Sequence, residues 1–98
     1  METKEQYIEG LKSELYEWRT NLEELKSKVG GVSLGGKLEM HEMITDLENK
    51  LIEGKGKLAE LEEANDENWA QTKASLETVW ARITTTFDDV STKLKDES

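Results

Sequence analysis

Apolar side chains recur at steps of three and four along nearly the whole chain. Ile8, Leu11, Leu15, Trp18, Leu22, Leu25 and Val29 form one series. Met40, Ile44, Leu47, Leu51, Leu58 and Leu61 form a second, with Gly54 on one of its positions. Trp69, Leu76, Trp80, Ile83, Phe87, Val90 and Leu94 form a third. An α-helix completes a turn in about 3.6 residues, so each series gathers into a stripe on one helix face. No proline interrupts any of them. The periodicity predicts helices over about 4–29, 37–64 and 67–94, joined by a glycine-rich loop at 30–36, in one domain covering 1–98. Near-equal lengths and short connections favour antiparallel neighbours. The fold class is therefore all-α, an antiparallel three-helix bundle or coiled coil. A narrow stripe also suits an intermolecular seam. A long helical hairpin forming a homodimer is the competing arrangement.

The boundaries rest on local chemistry. Thr3 and Gln6 have the spacing of a capping box, in which each side chain satisfies the other's free backbone N–H. Gly30 and Gly31 should end the first helix, a glycine taking the left-handed conformation, with Lys26 and Lys28 facing the negative end of the dipole. Four glycines between Gly30 and Gly36 argue for a loop there, from which Val32 and Leu34 can tuck inward. A turn at Asn65–Asp66, either side chain capping the third helix, accounts for a one-residue slip in the apolar phase. A kinked continuous helix would absorb the same slip. The β-branched run Ile83-Thr84-Thr85-Thr86 is a weak point of the third helix. Residues 95–98 should fray. Gly54 is either a weak spot or a place where a helix or a Trp ring packs against the backbone.

Composition narrows the function classes. The net charge is -9 and each helical segment is acidic, so phosphate backbones and anionic membrane surfaces are disfavoured partners. Without cysteine there is no disulfide, thiolate nucleophile or zinc–thiolate site. No basic stretch leads into an apolar run after Met1, so a signal peptide is not expected and a cytoplasmic location is. Candidate chemistry is sparse. His41 is the single histidine, and Leu38 stands where a di-iron bundle would carry Glu. Glu14 with Glu17, Glu39 with Glu42, and Glu60 with Glu63 have helical spacing, but lie on polar faces where solvation is the ordinary role. Asn65–Asn68 lacks the glycine and distal Glu of a calcium loop, and Asp88–Asp89 is an isolated pair. No enzymatic activity, cofactor or metal is expected.

The residues that remain are anchors of a core or an interface: Trp18, Trp69, Trp80, Leu15, Leu22, Leu47, Leu51, Leu58, Leu76, Ile83 and Phe87. The tryptophans either fill the core or form an aromatic surface for a partner helix or a lipid phase, flanked by Tyr7 and Tyr16. Glu5-Gln6-Tyr7-Ile8, Leu11-Lys12, Leu15 and Trp18 come first in a wider pattern. Lys57-Leu58-Ala59-Glu60-Leu61, Trp69, Lys73 and Trp80 continue it. Together they resemble a group of small bacterial coiled-coil proteins, some described as stress-response proteins. The segment 30–36 departs from that group, which runs Ala-, Lys- and Glu-rich there. The resemblance implies no activity and no cofactor.

The expected function is therefore a non-enzymatic structural or interaction protein acting by helix–helix contacts, stress-related if the resemblance holds. Its partner would be protein, either itself as a homodimer or another helix. The alternative is an amphipathic coat that opens onto a lipid or polymer surface, as phasins and apolipoproteins do.

Overall fold

A computed structural model describes residues 3–32 and 34–97; Met1, Glu2, Ser33 and Ser98 lie outside them. The described chain is three helices, α1 (Lys4–Val29), α2 (Leu34–Glu63) and α3 (Trp69–Glu97). They pack into an all-α three-helix bundle measuring 51 × 18 × 17 Å. The three stripes close on one another within one chain, so the fold does not require a hairpin dimer.

Local signals account for two of the boundaries. At Thr3 the hydroxyl accepts the Gln6 N–H at 3.1 Å, and Gln6 Oε1 accepts the Thr3 N–H at 3.0 Å. Between α2 and α3 the chain turns rather than kinks. Asn65 Oδ1 accepts the Asn68 N–H at 3.1 Å, and Asn68 Oδ1 accepts the Asn65 N–H at 2.9 Å. The Asn65 carbonyl already accepts the Trp69 N–H at 3.0 Å. This reciprocal pair satisfies two donors that a helix start leaves open. It sets the start of α3 at Trp69, after the expected Glu67.

The glycine segment differs from the expectation. α2 begins at Leu34, so Gly35 and Gly36 lie in its first turn and the connection is shorter than 30–36. The cost of glycine in a helix is about 1 kcal/mol per residue, and tertiary packing of an amphipathic face overrides it. Burial of Val32 and Met40 on either side supplies that packing. Gly30 is not left-handed; its φ is -56° and ψ -26°. The end of α1 tightens instead, with Gly31 N–H bonding the Lys28 carbonyl at 3.1 Å and Val32 N–H bonding that of Val29 at 3.0 Å. These three-residue steps satisfy terminal carbonyls without a left-handed residue.

α3 passes through its threonines unbroken and extends past Leu94. The hydroxyls of Thr84, Thr85 and Thr86 donate to the carbonyls of Trp80, Ala81 and Arg82 at 3.2, 3.1 and 2.8 Å. Back-bonding of this kind satisfies the hydroxyls within the helix. Residues 95–97, expected to fray, are helical, and Ser98 lies outside the described residues.

The core joins Leu11, Leu15, Leu22, Leu25 and Val29 of α1 to the α2 stripe and to Leu76, Val79, Trp80, Ile83 and Val90 of α3. Among the described residues no polar or charged side chain is buried. Gly54 resolves in favour of close packing. A Cβ there would lie 2.9 Å from Cδ1 of Ile83 and 3.3 Å from Cζ3 of Trp80. The missing side chain is the space that the indole and the isoleucine occupy.

Candidate functional site

Of the eleven anchor residues, Leu15, Leu22, Leu47, Leu51, Leu58, Leu76, Ile83 and Trp80 are buried. Trp18, Trp69 and Phe87 are half-buried at the margin of the core. They belong to an aromatic seam between α1 and α3. Trp18 lies 5.1 Å from Trp80 and 6.1 Å from Phe87, centroid to centroid. Tyr7 meets Trp69 edge-on at 6.3 Å. Aromatic rings hold the α1 and α3 backbones apart, whereas α2 packs more closely on both. The indole Nε1 of Trp80 donates to Glu14 Oε2 at 2.9 Å. At the Tyr7 end the protein's own cations cover the rings. Lys4 Nζ stands 4.9 Å from the Trp69 centroid and Lys73 Nζ 4.6 Å from that of Tyr7. Lys4 also pairs with Asp66, and its hydrogen bond holds that carboxyl below the ordinary 3.8. This seam tethers α1 to α3.

The acid pairs are dispersed. Glu14 serves Trp80, Glu39 meets Lys93 at 3.0 Å and Glu60 meets Lys57 at 3.5 Å. Glu17, Glu42, Glu63, Asp88, Asp89 and His41 are exposed. Among the described residues no three His, Asp or Glu side chains converge as a metal site would need.

Two outer features were not singled out from the sequence. The first runs along α2. Leu38, Thr45, Asn49, Ile52, Gly56 and Ala59 are all exposed and all uncharged, spaced by three, four or seven. They form a second stripe, roughly opposite the buried one. Leu38 and Ile52 are each 70% exposed, and nothing lies within 4 Å of a Cβ built on Gly56. Single exposed apolar residues are ordinary. An uncharged row at helical spacing in a chain with 36% charged residues is not, and that spacing was readable in the sequence beneath the stronger core stripe.

The second feature is the groove between α1 and α2. Lys12 Nζ lies 2.8 Å from Glu62 Oε1, and Lys26 Nζ lies 3.1 Å from Glu48 Oε2. The hydrogen bond to Glu62 raises the Lys12 pKa above 10.5, and that to Glu48 does the same for Lys26. These cross-helix bridges fix the antiparallel register. One heptad inward from either bridge, Arg19 and Lys55 share a level. Both line a basin of about 250 Å³ with Leu15, Leu22, Leu51 and Ile52, and Glu23, Lys26 and Glu48 complete its rim. The ladder therefore reads cation–anion, cation–cation, cation–anion.

No protein-family model, no curated protein and no solved structure matches the chain. The resemblance to small bacterial coiled-coil proteins gains no support from them. Among the described residues no helix is long and apolar enough to cross a membrane.

Proposed function

We propose that this protein is a non-enzymatic helical bundle that acts by helix–helix contact, pairing with a second copy through the outer stripe of α2. One observation carries the reading: the uncharged row Leu38, Thr45, Asn49, Ile52, Gly56 and Ala59 on an otherwise charged surface. The row complements itself. Its N-terminal end carries the bulky Leu38 and its C-terminal end the small Gly56 and Ala59. In an antiparallel two-fold pairing the large end of one copy meets the small end of the other. Glycine and alanine let the two helix backbones approach.

The coat alternative draws less support. A coat must open to show its apolar faces. Here those faces meet each other in a core in which, among the described residues, no polar side chain is buried, and Trp80 and Glu14 bond α1 to α3.

Light scattering across a concentration series tests the reading. Twice the chain mass of 11.2 kDa should emerge at high concentration, and Ile52→Arg should return it to the single-chain value. A single-chain mass throughout would refute the pairing.

A further inference from the structure

The middle level of the α1–α2 ladder sets two cations where its neighbours above and below set opposite charges. Among the described residues Arg19 and Lys55 have neither an ion-pair nor a hydrogen-bond partner. The two carboxylates that line the same basin are both engaged by Lys26, Glu23 at 3.7 Å and Glu48 at 3.1 Å, and neither pairs with Arg19 or Lys55. Like charges facing across a helix pair are unfavourable. An anion between them turns that repulsion into two attractions, and the guanidinium fork suits a planar carboxylate.

The basin around them is apolar below and bounded at its ends. Leu15, Leu22 and Leu51 form its floor, and the exposed Ile52 forms part of its wall. The Lys26–Glu48 bridge spans one end and the Lys12–Glu62 bridge lies beyond the other. One heptad separates Arg19 from Lys26, about 10 Å along the axis. A helix laid in this groove would have to ride over both bridges. A second copy presenting the same face would bring four cations together at the middle level. A short amphiphile with an anionic head meets neither obstacle. We propose that the basin binds an alkyl carboxylate of medium chain length, its head between Arg19 and Lys55 and its tail along Leu22, Leu51 and Ile52 toward the Lys26–Glu48 bridge. The site is separate from the proposed α2 pairing except at Ile52, so variants of Arg19 and Lys55 test it without altering that stripe.

The test titrates the full chain with decanoate, decanol and decyltrimethylammonium, each below its micelle concentration, by calorimetry and by amide chemical shifts. Decanoate should saturate one site per chain and move the resonances of Arg19, Leu22 and Ile52. Lys55→Glu gives the middle level the charge pattern of its neighbours. It should keep or raise the melting temperature and weaken decanoate by about tenfold or more. Arg19→Gln, which adds no new pairing, should weaken it in the same direction and serves should Lys55→Glu misfold. Four results would overturn the proposal: no saturable decanoate binding; equal affinity for the alkylammonium; undiminished binding by both variants; or shifts confined to the α1–α3 seam.

Discussion

Gly54→Ala isolates the close approach of α3 to α2. Two effects oppose each other. Alanine is better than glycine in a helix interior by about 0.8–1.0 kcal/mol. Against this, the new Cβ would sit 2.9 Å from Ile83 Cδ1 and 3.3 Å from the Trp80 ring. The Ile83 atom is a flexible end, but its residue is 0% exposed and has little room to turn. The indole is rigid, and its Nε1 is tied to Glu14. Forcing an extra methyl into a filled core costs about 1–3 kcal/mol. The expected net is a destabilisation of roughly 1 kcal/mol, or about 4–8 °C in melting temperature for a domain near this size. Gly10→Ala and Gly56→Ala supply the control, because nothing lies within 4 Å of a Cβ at either position. Both should stabilise by up to about 1 kcal/mol. Ile83→Val removes the clashing Cδ1. It should cost less in the Gly54→Ala background than alone, giving a favourable coupling. Urea melts of the four single variants and the double variant, in dilute protein, supply the numbers. If Gly54→Ala stabilises as much as Gly10→Ala, the close-approach account of the α2–α3 contact is wrong.

Five further outcomes follow, four from these contacts and one from the proposed pairing. Asn65→Ala should cost about 1 kcal/mol in chemical denaturation, since it removes the acceptor for the Asn68 N–H. Glu14→Ala leaves the Trp80 indole N–H without its acceptor and should cost about 1 kcal/mol, while Glu14→Gln keeps an acceptor and should cost less; Trp fluorescence reports both. Raised lysine pKa values mean that the Lys12 and Lys26 bridges stabilise fully below pH 10.5 and lose that contribution as pH rises through the folded values. Lys12→Met should therefore shallow the alkaline limb of a melting profile. Asp66 has the opposite sign: its contribution is complete above 3.8 and fades as pH falls, so Asp66→Asn should remove it above that pH and flatten the acid limb. The proposed α2 pairing must also overcome repulsion between two chains of charge -9, so added salt should raise the dimer fraction in sedimentation equilibrium.

Much of the bundle was legible because its signals are local or periodic. Three stripes named three helices, and the Thr3–Gln6 box named its first boundary from four consecutive residues. The turn at Asn65 was legible as a place but not as a reciprocal pair, since Asn68 had no assigned role. Gly30–Gly36 was read as loop because propensity counts each glycine alone, while α2 is held by the burial of Met40 and Val32 around it. Val79 steps by three from Leu76 and by four to Ile83, so it was readable on the third stripe; Trp80 fits the same turn, and both are buried. Gly54 was placed on the stripe correctly, but which side chain fills its gap depends on the register of α3, which no periodicity supplies. The same holds for Arg19 and Lys55. They stand in separate helices, and only the antiparallel register set by Lys12–Glu62 and Lys26–Glu48 brings them level.

Circular dichroism of the chain diluted until light scattering reads a single-chain mass of 11.2 kDa tests the central claim most directly. Three stripes that close within one chain predict that the monomer keeps its helical signal and a cooperative melt. A helical signal that vanishes as the mass falls to one chain would contradict the account, because the apolar faces would then depend on a second molecule.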